Sequence, residues 1–292
     1  MPKEFSKQFH LSITKALRDQ LQADLNTLTP APLNEENLQK LHQRESATHP
    51  SSGAGVYQLY RSDPKSGESH LVYIGKAEKS ISKRLEQHMA KISGRVNISL
   101  SEMSFKCLYV TEDLSAVAPE KILIKNHKMK NEAPWNNNGF GNKDPGLNRD
   151  KTILEADHFD TLFPIDLNRE LPPTTPESQD LEEFLKELKE ELPYNFRYKK
   201  SPIYENISIT PPGPKATADS AFKTIIEALP SPWQIVALSG YVIMYDNEHE
   251  NYASAIRYYR NGKIIDAKPK TTDEPKKKST KKTKSGEEEL PF

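Results

Sequence analysis

A β-hairpin followed directly by an amphipathic helix is the arrangement that most constrains the fold of this chain. Residues 56–61 and 70–74 are rich in β-branched and aromatic residues, and the turn-forming stretch 62–69 separates them, which predicts a hairpin. From Ser80 the apolar spacing becomes helical, and Gly94 is a suitable end for that helix. We therefore expect a helix packed against an antiparallel sheet through an apolar stripe of Ile81, Leu85, Met89 and Ile92.

The segments around the hairpin predict a fold of the α+β class. Helical apolar spacing recurs over residues 9–28 and again over 34–41. Residues 105–110 predict a third strand, and residues 115–129 predict a further helix. The Gly- and Asn-rich stretch 134–146 is typical of an ordered loop that carries function. The expected core is a small antiparallel three-stranded sheet flanked by helices.

The C-terminal half predicts a connector, a small unit and a tail. An acidic helix is expected over 181–192, a Pro-rich spacer over 210–214, and a helix over 217–229. Residues 233–245 and 252–265 predict two strands, which gives an α-β-β unit. The expected parts are an N-terminal helical segment (1–50), a central domain (51–165), a helical and Pro-rich connector (166–215), an α-β-β unit (216–267) and a disordered Lys-rich tail (268–292).

Composition excludes several classes of protein. The single cysteine, Cys107, leaves no internal disulfide and too few thiolates for a Cys-rich zinc site. No stretch of apolar residues is long enough to span a membrane, and none near Met1 has the form of a secretion signal. We therefore expect a cytoplasmic protein without membrane partners.

Charge is balanced overall but unevenly distributed. The chain carries 41 basic and 41 acidic residues, so its formal net charge is zero. Basic residues dominate stretches 76–95 and 121–149, whereas acidic residues dominate 177–191 and 287–289. Within stretch 76–95, the helix expected from Ser80 carries a polar row of Arg84, His88 and Lys91 along one edge of its apolar stripe. A locally basic face on a neutral chain is typical of a surface that contacts phosphates.

The two strands of the hairpin carry a split tripeptide motif. Gly55-Val56-Tyr57 lies in the first strand and Tyr73-Ile74-Gly75 in the second, and Arg84 and Glu120 follow in later helices. This arrangement resembles the GIY-YIG nuclease superfamily, with valine in place of the first isoleucine. A closer resemblance, over about residues 9–164, is to its type II restriction endonuclease branch, whose best-known members cut CCGCGG. It rests on Gly55-Val-Tyr-Gln-Leu-Tyr60, Leu71-Val-Tyr-Ile-Gly-Lys-Ala77, Ser93-Gly-Arg95, Ala118-Pro-Glu120 and the stretch from Pro134 to Gly146.

The resemblance implies a set of site residues and a cofactor. Glu120 matches the metal-binding glutamate, and the implied ion is Mg²⁺, with Mn²⁺ as a substitute. Arg84 matches the arginine expected to clamp phosphate oxygens, and His88 lies one helical turn beyond it, as in the restriction branch. Asn136 is the best match to the branch's asparagine, although its neighbours Asn137 and Asn138 leave that assignment open.

Phosphodiester hydrolysis also needs a base that activates water. Tyr57 is the first candidate, with Tyr73 positioning it or the phosphate, and with Lys76 and His88 stabilising its phenolate. Alternatively, His88 is the base and Tyr57 relays the proton. Simpler explanations exist for each side chain: strand packing for the two tyrosines, a charge at a helix N-terminus for Glu120, and a turn cap for Asn136.

The expected function is therefore that of a Mg²⁺-dependent type II restriction endonuclease. Such an enzyme hydrolyses both strands of a palindromic, GC-rich site in double-stranded DNA and leaves 5′-phosphate and 3′-hydroxyl ends. Palindromic targets imply a homodimer, at least on DNA, and restriction implies a cognate DNA methyltransferase and a role in antiviral defence. The alternatives are a repair-type or homing-type nuclease of the same superfamily, or a non-catalytic DNA-binding protein with the same fold.

Overall fold

The computed structural model describes residues 13–47, 53–110, 133–141, 146–172 and 177–272. The expected helix over 115–129 and the acidic stretch 287–289 therefore lie outside the described residues. Helices and antiparallel sheets both occur, which confirms the α+β class. Among the described helices, none combines the length and the apolar composition that crossing a membrane requires.

The first sheet has four strands in the order β1-β4-β2-β3, and all of its pairings are antiparallel. The predicted hairpin and third strand are confirmed, but the sheet gains a fourth, two-residue strand from the N-terminal segment. That strand pairs with Phe105 and Ser104 through Ala31 and Pro32. The elements are α1 (Ile13–Thr27), β1 (Ala31–Pro32), α2 (Glu35–Ala47), β2 (Gly55–Ser62), β3 (Ser69–Ala77), α3 (Ile81–Ser93) and β4 (Met103–Tyr109).

Helices cover both faces of this sheet. Leu21 and Leu25 of α1 pack against Val56 and Ile74 on one face. On the other face, α2 and α3 pack against the side chains that alternate with these along β2 and β3. The predicted apolar stripe of α3 is confirmed, because Ile81, Leu85 and Ile92 are buried and Met89 packs beside them. Helix α2 extends further along the chain than the expected 34–41.

The beginning of α3 is fixed by two hydrogen-bonding side chains. Ser80 accepts a hydrogen bond from the Lys83 backbone and caps the helix. Glu45 of α2 accepts hydrogen bonds from the Ser80 hydroxyl and from the Ser82 backbone and hydroxyl. These contacts fix the direction in which α3 leaves the hairpin, and they therefore fix the polar row that it carries.

The second sheet has five strands in the order β12-β11-β9-β10-β7, and only the pairing of β7 with β10 is parallel. Two helices pack on it around a core that includes Phe196, Phe222 and Trp233. The elements are β5 (Leu154–Glu155), α4 (Phe159–Leu162), β6 (Gln179–Asp180), α5 (Leu181–Glu191), β7 (Phe196–Tyr198), β8 (Ser208–Ile209), α6 (Ala218–Ala228), β9 (Gln234–Leu238), β10 (Val242–Tyr245), β11 (Ala255–Arg260), β12 (Lys263–Asp266) and β13 (Thr271–Thr272).

The second sheet corrects the expected α-β-β unit. Each of the two predicted strands is a hairpin, because residues 239–241 and 261–262 are turns. At the second turn, Asn261 and Gly262 have φ values of 51° and 64°. Asn-Gly with positive φ at both positions is the strongest short-range hairpin signal, and the single-strand interpretation of 252–265 overlooked it.

The expected connector and tail also differ from the structure. Residues 166–215 contribute α5 and β7 to the same core as the following unit, since Leu185 and Phe196 pack with Phe222. At the start of the expected tail, Thr271 and Thr272 pair in parallel with β5. Apolar residues on α5 and β7 explain the first difference; residues 273–292 lie outside the described residues.

Arg95 joins the two sheets just beyond the end of α3. Its side chain is only 3% exposed and forms an ion pair with Asp160 at 2.8 Å. The guanidinium also donates to the backbone carbonyls of Phe163, Ser239 and Gly240 at 3.1–3.2 Å. Because a buried guanidinium needs several acceptors, Arg95 fixes the relative position of α3 and the second sheet.

Candidate active site

Tyr57 lies directly over Gly75, and this contact explains why the split motif needs its second glycine. The two residues are paired across β2 and β3, so their side-chain positions face the same side of the sheet. A Cβ atom added at Gly75 would lie 2.3 Å from both Cζ and the hydroxyl oxygen of Tyr57. Only glycine leaves room for the tyrosine ring, which is completely buried.

His88 of α3 meets the Tyr57 hydroxyl. Its Nε2 atom lies 2.8 Å from that oxygen, and the histidine is 4% exposed. Burial, together with the positive charges of Arg84 and Lys91, lowers the pKa of His88 to about 3. His88 is therefore neutral near pH 7, and the tyrosine hydroxyl faces an uncharged imidazole nitrogen.

Aromatic rings enclose this pair. The Tyr73 ring meets His88 edge-on at 5.3 Å between centroids, and Phe140 stacks on His88 at 4.8 Å with an interplanar angle of 22°. A Cβ atom at Gly141 would lie 2.6 Å from the Tyr73 hydroxyl. The stretch after Pro134 thus returns to the sheet and closes over the imidazole, and a small residue at 141 makes room for the second tyrosine.

Asn136 binds the edge of the sheet. Its Oδ1 accepts from the Ile74 backbone N–H at 2.9 Å, and its Nδ2 donates to the Ile74 carbonyl at 2.7 Å. Because β3 is an edge strand, the amide supplies the hydrogen bonds that a further strand would make. Asn136 therefore holds the loop with Phe140 against β3, and both ends of its amide are engaged by backbone.

The other two asparagines make different contacts. The Asn138 carbonyl accepts from the Phe159 backbone at 2.7 Å, and its side chain accepts from the Phe140 backbone at 3.4 Å. Asn137 borders a cavity between the two sheets. Among the three, Asn136 is the one bound to the motif strand.

The two predicted basic residues lie in different places. Arg84 is partly exposed one helical turn before His88, where its Nη1 donates to Gln87 at 2.6 Å. Lys76 is exposed and pairs with Glu78 at 3.0 Å. Strand alternation places Lys76 on the face of β3 opposite Gly75 and Tyr57. The structure therefore brings Arg84 beside the histidine but does not bring Lys76 to the Tyr57 hydroxyl, contrary to its expected role there.

Glu120, the expected metal ligand, lies outside the described residues. Among the residues that the structure describes, no group of three or more His, Cys, Asp or Glu side chains is placed to hold a metal ion. Binding of Mg²⁺ therefore stays a prediction that rests on the family resemblance.

Two residues of the site were not predicted as such: Phe140 was not expected there, and Lys91 was expected only as part of the polar row. Lys91 donates to the Phe140 carbonyl at 2.7 Å and lies 5.3 Å from the centre of that ring. Burial lowers the pKa of Lys91 to about 8, against the opposing effect of the Asp160 carboxylate. The available signal was an aromatic residue placed between two glycines, Gly139 and Gly141, in a stretch rich in Asn and Gly.

The arrangement can move a proton and hold an anion. The hydroxyl–imidazole pair provides a path for one proton, and the partly exposed Arg84 provides a nearby donor for anionic oxygens. In comparisons with known proteins, no protein-family model and no curated protein matches this chain. The chemistry of the site must therefore be argued from its own residues.

Proposed function

We propose that this chain is a site-specific deoxyribonuclease, a type II restriction endonuclease with a GIY-YIG domain that acts in the cytoplasm. It hydrolyses both strands of a palindromic, GC-rich duplex site and leaves 5′-phosphate and 3′-hydroxyl ends. The observation that carries the proposal is the buried 2.8 Å contact between Tyr57 and His88. That contact links the first half of the split motif to the helix that carries Arg84.

Tyr57 and His88 act as a proton relay from the attacking water. A phenol with a pKa of about 10 is a poor base near neutrality, so Tyr57 takes a proton only if its own proton moves on. The neutral imidazole accepts that proton at Nε2, the atom that faces the Tyr57 hydroxyl. Of the two assignments left open by the sequence, we propose His88 as the final acceptor and Tyr57 as the relay, with the imidazole proton on Nδ1 so that Nε2 can accept.

Substrate binding strengthens this base. Burial is the main reason for the low pKa of His88, and Arg84 and Lys91 add to it. A DNA phosphate bound by Arg84 brings negative charge close to the imidazole and raises its pKa. The relay therefore becomes an effective proton acceptor when DNA is bound.

Other residues of the motif orient the reacting groups. Arg84 binds the non-bridging phosphate oxygens, and Tyr73 positions the relay or the phosphate. Asn136 holds in place the rings of Tyr73 and Phe140, which form the aromatic wall of the site. The proposed cofactor is Mg²⁺, or Mn²⁺ in its place, bound by Glu120; when bound, it supplies charge neutralisation at the phosphate.

A palindromic target requires one catalytic site for each strand, so the proposal includes a homodimer on double-stranded DNA. Restriction also requires protection of host DNA, so a cognate DNA methyltransferase is the expected functional partner. Together the two activities would constitute an antiviral defence system.

The test is cleavage of unmethylated plasmid DNA with Mg²⁺ by the wild type and by the Tyr57→Phe and Glu120→Ala variants. A Gln20→Ala variant serves as control, because Gln20 lies on the exposed surface of α1. We expect discrete fragments from the wild type and the control, and none from the other two variants. EDTA should stop the reaction.

Each other outcome has a defined meaning. Random nicking would favour a repair-type nuclease, whereas cleavage at a single long site would favour a homing-type nuclease. Binding without any cleavage, tested on unmethylated DNA from several sources, would favour the non-catalytic DNA-binding protein and overturn the enzyme proposal.

A further inference from the structure

A cavity of about 610 Å³ lies between the aromatic wall of the candidate site and the second sheet. Lys91 and His158 border it on one side, and Asn195 and Tyr241 border it on the other. Its volume is within the range of pockets that hold small organic ligands, about 300–1,000 Å³. None of the described groups proposed for hydrolysis lines this cavity.

The polar row on α3 leads from the candidate active site to this cavity. Arg84 and His88 belong to the site, and Lys91 and Arg95 line the cavity. At about 1.5 Å per helical residue, Lys91 lies about 4.5 Å along the helix from His88. A DNA strand rises by about 3.4 Å per nucleotide. A nucleotide close to the cleaved phosphate is therefore within reach of the cavity.

Four side chains that line the cavity carry buried polar atoms without a hydrogen-bond partner among the described residues. These atoms are Nε of Arg95, Nδ2 of Asn195, Oγ1 of Thr272 and Oδ1 of Asp160, and the last is ion-paired with Arg95. Buried polar groups are normally hydrogen-bonded, and leaving one unpaired is unfavourable. The three atoms among them that can donate match the ring nitrogens and carbonyl oxygens of a nucleobase.

The remaining lining residues fit the other parts of a nucleotide. Tyr241 offers an aromatic ring, and aromatic rings stack on any base. Lys91 and Arg149 offer positive charge for a phosphate, whereas the charge of Arg95 is paired with Asp160. Glu155 adds one negative charge, so the basic side chains of the lining outnumber the acidic ones by one. The combination of amide, aromatic ring and two further cations favours a base with its attached phosphate over a purely apolar ligand.

Two exposed apolar side chains flank Arg149 near this cavity. Leu147 is 65% exposed and Ile153 is 47% exposed, which makes them the most exposed large hydrophobic residues in the described part of the chain. Ile153 lines the cavity itself. Proteins that distort DNA insert leucine or isoleucine side chains between base pairs, so these residues are suited to fill the gap left by a displaced base.

We propose that this cavity binds one nucleotide, a nucleobase with its phosphate, which is extruded from the duplex next to the cleavage position. The inference rests on the proposed nuclease function. Leu147 and Ile153 occupy the vacated space in the base stack, Asn195 reads the base, and Lys91 and Arg149 bind its phosphate. Extrusion breaks the pairing and the stacking of that base, and the contacts inside the cavity offset this loss.

The first test uses duplexes that carry the cleavage site mapped from plasmid fragments, with one base at a time replaced by a fluorescent analogue that keeps its pairing partner: 2-aminopurine for adenine, pyrrolocytosine for cytosine or 6-methylisoxanthopterin for guanine. Emission of the analogue rises when it leaves the stack. With the full-length protein in EDTA, we expect emission to rise at one position. Asn195→Leu and Ile153→Ser should abolish the rise, and Ile264→Ser, a matched change at an exposed apolar residue far along β12, should retain it.

The second test measures binding of the four free deoxynucleoside 5′-monophosphates by equilibrium dialysis, which does not depend on cleavage. We expect at least one of them to bind the wild type in about the millimolar range and about tenfold more weakly to Asn195→Leu. Ile153→Ser should bind the mononucleotides like the wild type, because it lacks only the side chain proposed to fill the gap in the base stack. Thermal unfolding of each variant establishes that it is folded.

The outcomes separate this inference from the nuclease proposal. Discrete cleavage without an emission rise at any position would overturn nucleotide extrusion and leave the nuclease function standing. Absence of cleavage would overturn the nuclease function; binding of a mononucleotide that Asn195→Leu weakens would then identify a free nucleotide as the ligand. Absence of both cleavage and mononucleotide binding would overturn both proposals.

Discussion

Replacing Gly75 with alanine tests the central contact of the candidate site. The new Cβ would lie 2.3 Å from the Tyr57 ring and hydroxyl, so the tyrosine must move by about 1 Å to reach an ordinary contact distance. Tyr57 is completely buried and its hydroxyl lies 2.8 Å from His88. The movement therefore strains the core and breaks the hydroxyl–imidazole contact together.

Two magnitudes follow from this geometry. Overpacking a well-packed core costs about 1–3 kcal/mol, and a 1 Å misplacement of a reacting group costs about 10²-fold in rate. We expect Gly75→Ala to lower the free energy of unfolding in urea by the first amount and plasmid cleavage by at least the second. Gly213→Ala is the matched control, because a Cβ at Gly213 meets nothing within 4 Å.

A second substitution distinguishes strain from loss of chemistry. Tyr57→Leu added to Gly75→Ala removes the clashing ring atoms, so stability should partly recover while cleavage stays absent. Tyr57→Phe should not relieve the clash, because Cζ remains in place. If Gly75→Ala proved as stable and as active as Gly213→Ala, the packing of Tyr57 over the motif glycine would be refuted.

Tyr57→Phe should lower cleavage by about 10²–10⁴-fold in a plasmid assay while the fold persists by circular dichroism. Asn136→Ala should lower the free energy of unfolding in urea by about 1–3 kcal/mol, because the backbone of Ile74 loses two partners; unchanged stability would contradict this. Arg95→Met should cost about 3–5 kcal/mol in the same assay, since its carboxylate partner stays partly buried and unpaired. The pKa of His88 is about 3 in the folded protein against 6.5 in the unfolded chain, so the unfolded chain binds more protons between these pH values. The free energy of unfolding should therefore fall as pH falls from about 6.5 to about 3, by up to about 1.4 kcal/mol per pH unit. His88→Phe should flatten this pH dependence, and an unchanged dependence would count against a buried neutral imidazole.

The parts of the fold that local pattern determines were predictable from sequence. The hairpin, α3 and its stripe follow from the change in apolar spacing near Ser80. His88 and Tyr57 are 31 residues apart in the sequence. Only the family resemblance placed these two residues in one site. The hydrogen bond of His88 and the depth of its burial depend on how the surrounding aromatic rings pack, and the spacing of residues along the sequence does not encode that packing.

Two site residues show which part of the site the sequence could predict and which part it could not. Lys76 is next to the motif glycine in sequence, yet strand alternation turns it to the other face. Alternation could have revealed this from the sequence alone. Asn136, by contrast, binds the β3 edge across 62 residues, and nothing in its neighbours distinguishes it from Asn137 or Asn138. Edge strands accept any suitably placed donor and acceptor, so only the folded path of the loop identifies the residue.

The position of Arg95 links the two proposals physically. The same helix carries Arg84 and His88 at the candidate site, and its C-terminal end is attached to the second sheet through Arg95 and the carbonyls of residues 239 and 240. Because a helix transmits displacement along its axis as a rigid element, a nucleotide held at Lys91 would fix the strand relative to the relay. Capture of that nucleotide would then orient the neighbouring phosphate toward Arg84, so the loss of Asn195 should slow cleavage even though this residue is remote from the reacting atoms.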